Sequence, residues 1–149
     1  MYKKILVPLD GSKRAEAILP YIQALLEQNN QAKAILLQIV EPGKTFTINE
    51  VSYAEAFEVY DQATSDAEKY LTAVQERFEE KGLQAEIYIA HGSPVQGIIN
   101  SAEHRDVDLI ALASHGRTGI PRVFYGSVAA GVLHSVDRPL LLIRSNGYK

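Results

Sequence analysis

Apolar residues along this chain form short runs that alternate with longer amphipathic stretches. The runs cover residues 5–7, 34–40, 85–90, 107–112 and 140–143. Runs of this length predict β-strands, and a strand that is almost wholly apolar is covered on both faces of its sheet. The run at 85–90 instead alternates between apolar and polar positions, which predicts a half-exposed strand at a sheet edge.

Between the predicted strands, apolar positions recur at helical spacing. The first predicted helix follows Ser12, which is placed to cap it, and ends at Asn29; the second covers 53–78. The third follows Pro94, and the fourth begins near Ser127. Strands and helices therefore alternate. This alternation predicts one α/β domain over residues 1–149, with a five-stranded parallel sheet and helices on both faces. We expect the strand order 3-2-1-4-5.

Composition narrows the classes of function. The net charge of -3 argues against broad nucleic-acid binding, and the absence of cysteine excludes disulfides, thiolate metal sites and cysteine nucleophiles. No apolar run approaches the roughly 20 residues of a membrane span. The N-terminal apolar run turns polar at Asp10, too early for a signal-peptide core, so we expect a cytoplasmic protein without membrane association.

The segment between the fourth strand and the fourth helix is rich in small residues. It contains Ala113, Gly116, Gly126 and Ser127, together with Arg117 and Arg122 and no acidic residue. Small residues let backbone N–H groups approach an anion, and a helix N-terminus adds partial positive charge. The sequence therefore predicts a phosphate site in the 113–127 loop.

Two polar residues at strand ends have two interpretations each. Asp10 before Gly11 is common turn chemistry, and its position after the first strand also suits a ligand contact. His115 could touch a ligand or hold the turn through the backbone. Gly43-Lys44-Thr45 resembles the end of a P-loop, but the glycine that such a loop needs is Gln38 here.

Taken together, these motifs resemble the universal stress protein family in its ATP-binding branch. The family pattern Gly-x2-Gly-x9-Gly-(Ser/Thr) aligns with Ala113, Gly116, Gly126 and Ser127, with alanine in place of the first glycine. The resemblance extends over essentially the whole chain, including 5–12, 92–94, 114–119 and 138–143. It implies an adenine-nucleotide-binding, Rossmann-like fold and a regulatory or stress-response role.

The resemblance also implies contacts for ATP. Pro8 and Asp10 would meet the nucleoside, with Asp10 on the ribose, and Ile39 would offer backbone groups to adenine. Ala113, Gly116, Gly126 and Ser127 would surround the phosphates, which Mg²⁺ or Mn²⁺ would bridge, and we add Arg117 on grounds of charge. The remaining predicted cofactor-binding residues are Leu9, Val40, His115, Gly119 and Val128. We predict no catalytic residue and no metal ligand from the protein.

Two other functions of α/β proteins need residues that this chain lacks after its first strand. An ATP pyrophosphatase would need paired glycines after the first strand, and a phospho-accepting receiver domain would need an acidic pair there, whereas Asp10 stands alone. Slow ATP hydrolysis and a dimeric stress protein that binds no nucleotide stay open as alternatives. The wholly apolar last strand, Leu140 to Ile143, lies at a sheet edge in this topology and predicts a homodimer, as does the resemblance.

Overall fold

A computed structural model describes residues 1–42, 53–115 and 126–145. Strands and helices alternate along these segments, as the apolar pattern predicts. In chain order they are β1 (Lys4–Pro8), a 3₁₀ helix (Ala15–Ile18) leading into α1 (Leu19–Glu27), β2 (Lys33–Val40), α2 (Tyr53–Glu79), β3 (Gln84–His91), α3 (Pro94–His104), β4 (Leu109–His115), α4 (Ser127–Ser135) and β5 (Leu140–Ser145).

The five strands form one parallel sheet in the order β3-β2-β1-β4-β5, which confirms the predicted order. Alternate strand residues point to opposite faces, and each face has its own apolar cluster. On one face α1 and α2 contribute Ile22, Leu71 and Phe78; on the other, α3 and α4 contribute Ile98 and Val132. The half-buried β3 lies at a sheet edge, also as predicted.

The central strand β1 pairs unequally with its two neighbours. Its register with β2 continues to Pro8, opposite Leu37, and the Leu9 N–H donates to the Leu37 carbonyl at 2.7 Å. Its register with β4 ends at Leu6, opposite Ile110. The carboxyl ends of β1 and β4 therefore separate at the point where the strand order reverses, which is where open α/β sheets hold ligands.

Two predicted elements differ from those observed. The first helix begins as a 3₁₀ helix, because Pro20 lacks an N–H and its ring crowds the carbonyl four residues earlier. The fourth strand covers Leu109–His115 rather than 107–112, since Ala113, Ser114 and His115 pair with the end of β5. The first position of the glycine motif thus lies in a strand, not in a loop.

None of the helices in the described part of the chain combines the length and the apolar composition that crossing a bilayer requires.

Candidate functional site

A cleft of about 220 Å³ opens over the carboxyl ends of β1, β2 and β4. Its walls also include the segment before α1 and the first turns of α3 and α4. The lining residues are Pro8, Leu9, Asp10, Ser12, Arg14, Ala15, Leu37, Ile39, Glu41, Pro94, Ile98, Leu112, Ala113, Gly126, Ser127, Val128 and Ala129. Most of the lining is thus apolar, and Asp10, Ser12, Arg14, Glu41 and Ser127 supply its polar side chains.

Asp10 forms a tight turn after β1. Its Oδ1 accepts hydrogen bonds from the Ser12 backbone N–H at 2.9 Å and from the Ser12 hydroxyl at 2.6 Å. Gly11 between them has a φ of +86°, a conformation that favours glycine. The other carboxylate oxygen, Oδ2, accepts no hydrogen bond from the described residues. Asp10 is therefore a turn residue that keeps one acceptor for a ligand.

The N-terminus of α4 faces the same cleft. Gly126 is the residue before the helix, with φ -52° and ψ 158°, and none of the described side chains caps the first turn. Ser127, Val128 and Ala129 follow it along the cleft wall. The first N–H groups of a helix have no partner within the helix, so this turn presents donors and partial positive charge to the cleft.

Ala113 lies on β4 opposite Ile143, and it is half-buried against the core. Among the described residues that are not glycine, only Asp106 has a positive φ. The backbone at Ala113 is therefore ordinary extended strand, which alanine adopts without strain.

Ile39 and Val40 end β2 but face opposite ways. Ile39 lines the cleft and packs against the α3 and α4 face, whereas the Val40 side chain is buried and does not line the cleft. The close neighbour of Ile39 is Gly97 of α3, where a Cβ would lie 2.7 Å from Ile39 Cδ1. Any residue larger than glycine at position 97 would therefore displace the Ile39 side chain from its observed position.

A polar cluster fixes the segment that follows the Asp10 turn. The Ser12 hydroxyl accepts from the Ala15 N–H at 3.1 Å, and the Glu16 N–H donates to the Ser12 carbonyl at 3.3 Å. Glu16 in turn accepts from Arg77 at 2.7 Å and from the Tyr70 hydroxyl at 3.1 Å, both on α2. Burial, followed by the negative charge of Glu16, raises the pKa of Tyr70 well above its usual range, so the phenol stays a donor.

Within residues 1–42, 53–115 and 126–145, no group of three or more His, Asp or Glu side chains is arranged to hold a metal ion.

The family of the chain follows from comparison with known proteins. The model of the universal stress protein family matches residues 1–144. This match includes every residue that lines the cleft. The chain belongs to the universal stress protein family.

Two relatives in the family match this universal stress protein over nearly their full length. Universal stress protein YxiE of Bacillus subtilis is 30% identical, over 97% of this chain and 100% of YxiE. Universal stress protein MJ0577 of Methanocaldococcus jannaschii is 28% identical, over 97% of this chain and 96% of MJ0577.

Solved structures share the fold. The structure of MJ0577 matches with a TM-score of 0.80, covering 99% of both chains at 28% identity. A family member from Arabidopsis thaliana, solved with AMP bound, matches with a TM-score of 0.69 and 17% identity, over 97% of this chain and 93% of that one. At that identity, the second match shows the fold alone.

The structure brings together eight of the predicted cofactor-binding residues. Those that line the cleft are Pro8, Leu9, Asp10, Ile39, Ala113, Gly126, Ser127 and Val128. Val40 lies beside the cleft without lining it, and His115 is the last residue of β4. The predictions for Gly116, Arg117 and Gly119 lie outside the described residues.

The sequence patterns did not indicate several of the lining residues, among them Arg14, Glu41 and Pro94. Each follows the carboxyl end of a strand within about six residues. The rule that ligands bind beyond the carboxyl ends of parallel strands was therefore the available signal. It does not say which residue of a turn faces the cleft, because that depends on the local backbone path.

Proposed function

We propose that this universal stress protein binds ATP in the cleft over β1, β2 and β4, as a nucleotide-dependent regulatory protein of the stress response. One observation supports this most strongly: the first turn of α4, which no described side chain caps, and the Asp10 turn line the same cleft. The N-terminal turn of α4 suits a phosphate group, and the Asp10 turn suits a ribose hydroxyl. The fold has room for an adenine nucleotide, since a family member of the same fold was solved with AMP bound.

The proposed orientation follows the chemistry of the walls. The apolar lining residues Ile39, Pro8 and Pro94 contact the adenine. Backbone groups at the end of β2 distinguish the amino group of adenine from a carbonyl. Asp10 Oδ2 accepts a hydrogen bond from the ribose. The phosphates lie against Ser127 and Val128, whose N–H groups begin α4.

A divalent cation fits this arrangement only through the phosphates. Mg²⁺ prefers oxygen ligands and keeps several waters, so one or two phosphate oxygens suffice as anchors. The described residues offer no carboxylate cluster that would hold the ion by itself. Mg²⁺ or Mn²⁺ would neutralise the phosphate charge, and the protein's own task is to orient the nucleotide.

We propose a homodimer as the assembly, formed by antiparallel pairing of β5 from two copies. β5 is the last strand of the sheet, and residues 140–143 are wholly apolar yet only half-buried. An apolar edge strand with unpaired N–H and C=O groups favours pairing with another chain.

Calorimetric titration with ATP, GTP and AMP in the presence of Mg²⁺ tests the nucleotide proposal. We expect ATP to bind more tightly than GTP, and Gly126→Val to abolish binding without unfolding the protein. The backbone of Gly126 is in a region that valine adopts, so the added side chain blocks the phosphate rather than straining the fold. Ala130→Val, one turn further along α4, is the matched control that should bind normally. Equal affinity for ATP and GTP, or wild-type affinity in Gly126→Val, would contradict the proposal.

A further inference from the structure

Arg14 is a cationic group in the cleft whose role no motif indicates. It immediately precedes the 3₁₀ helix, it is exposed, and it lines the cleft. Among the described residues, no ion pair or hydrogen bond engages its guanidinium. Its neighbour Lys13 is also exposed but does not line the cleft.

The fold places Arg14 near the proposed phosphate end of the cleft. The 3₁₀ helix that follows it packs against β4 and β5. Ala15 and Ala113 pack against the same apolar cluster, on the sheet face opposite α4. Arg14 and the first turn of α4 therefore approach the carboxyl end of β4 from the two faces of the sheet.

The acidic residues nearest in the sequence, Asp10 and Glu16, form no ion pair with Arg14. Asp10 Oδ1 is used by Ser12, and both oxygens of Glu16 are used by Tyr70 and Arg77. The other carboxylate that lines the cleft, Glu41, follows β2 and thus belongs to the proposed adenine end. Among the described residues that line the cleft, Arg14 is the one with a cationic side chain.

We propose that Arg14 is a phosphate ligand, and that it makes the cleft select nucleotides by their number of phosphates. This inference rests on the proposed nucleotide site and names a further residue of it. A guanidinium can donate two parallel hydrogen bonds to a phosphate, and the α4 N–H groups contact the same phosphates from the other side. The effect of Arg14 then grows with ligand charge and vanishes for the uncharged nucleoside.

The test is a titration of adenosine, AMP and ATP into wild-type protein and the variants Arg14→Ala, Arg14→Lys and Lys13→Ala. We expect Arg14→Ala to weaken ATP binding about tenfold, as for a lost hydrogen bond to a charged group. It should weaken AMP binding less and leave adenosine affinity unchanged. Arg14→Lys should regain part of the ATP affinity, because lysine keeps the charge but not the paired donors. Lys13→Ala removes the same charge one residue away and should bind all three ligands as wild type does.

Two results would overturn the inference while leaving the nucleotide site intact. One is an equal loss of ATP affinity in Arg14→Ala and Lys13→Ala, which would mean a general charge effect. The other is an equal loss for adenosine and ATP in Arg14→Ala, which would mean a distorted cleft. If wild-type protein binds neither adenosine nor ATP, the proposed function itself fails, and the role of Arg14 fails with it.

Discussion

Gly97 of α3 lies directly against Ile39 of β2. A Cβ at position 97 would be 2.7 Å from Ile39 Cδ1 and 3.3 Å from each of its γ carbons. Contacts below about 3.4 Å are tighter than ordinary carbon packing allows. Because Gly97 has no side chain, α3 can approach the sheet closely and Ile39 can keep its position in the apolar lining of the cleft.

Gly97→Ala should therefore weaken ATP binding, because the new methyl group displaces the Ile39 side chain from the cleft wall. Overpacking costs about 1–3 kcal/mol of unfolding free energy, and the gain from alanine in a helix offsets about 0.5–1 kcal/mol of it. Titration with ATP and urea unfolding measure the two effects. The double variant Gly97→Ala/Ile39→Val lacks the Cδ1 atom that clashes, so it should recover stability; failure to recover would show that α3 itself moves.

Asp10 is expected to act on the nucleotide directly as well as through its turn. Asp10→Ala should weaken ATP binding by about 1–3 kcal/mol, the range for a lost hydrogen bond to a charged group. Asp10→Asn keeps an oxygen that accepts from Ser12 and replaces Oδ2 with an NH₂ group, which cannot accept a hydrogen bond from the ribose. The variant should therefore fold normally and still bind ATP less tightly. Wild-type affinity in Asp10→Asn, measured by calorimetry, would restrict Asp10 to its role in the turn.

The strands were predictable because apolar runs are a local property of the sequence, and the alternating pattern of β3 marked it as an edge strand. The exceptions have physical causes. Ser114 and His115 are polar, and they continue β4 only because β5 offers Arg144 and Ser145 as partners. Pro20 marks the 3₁₀ start of the first helix, a signal that apolar spacing alone does not use.

The acid stability of the fold should depend on Asp108. Its Oδ2 accepts from the backbone N–H groups of Lys3 and Lys4, both at 2.8 Å, and these bonds lower the pKa of Asp108. The unfolded chain binds the proton at about pH 3.9. The stabilisation is therefore complete above that pH and is lost as the pH falls through the lower folded value.

Urea unfolding of wild type and Asp108→Asn at several pH values checks this dependence. Wild type should be the more stable protein at pH 7, and the difference should shrink below about pH 4. Glu80→Gln, which removes an exposed carboxylate after α2, is the control and should differ little from wild type at either end. A constant difference between wild type and Asp108→Asn from neutral to acid pH would contradict the assignment.

The dimer through β5 predicts a charge-sensitive assembly. Leu141→Lys places a cation on the edge strand and should convert a dimer to a monomer in light scattering. Leu141 also packs against its own core, so the unfolding free energy must be measured alongside. Leu133→Lys makes the same exchange at an exposed residue of α4 and should stay dimeric. A monomeric wild type refutes the dimer, and a dimeric Leu141→Lys moves the interface elsewhere.

The candidate site was less predictable than the fold. Asp10 follows β1, Ile39 lies at the end of β2 and Ser127 begins α4, so their meeting follows from topology. The place of Arg14 does not, because it depends on the packing of a 3₁₀ helix against β4 and β5, which are about a hundred residues away in the sequence. Asp108 and Lys4, which are hydrogen-bonded, are similarly far apart in the sequence. Contacts between positions so far apart do not produce a periodic pattern of apolar residues in the sequence.

Backbone amide chemical shifts, recorded by NMR during titration with ATP and Mg²⁺, test residue by residue whether ATP occupies the cleft at the carboxyl ends of β1, β2 and β4. We expect the largest changes at Asp10, Ile39, Ala113, Ser127 and Val128, with little change at Lys33 and Gln84 at the opposite end of the sheet. Saturable ATP binding with shifts confined to other residues, and none at the first turn of α4, would contradict binding in this cleft.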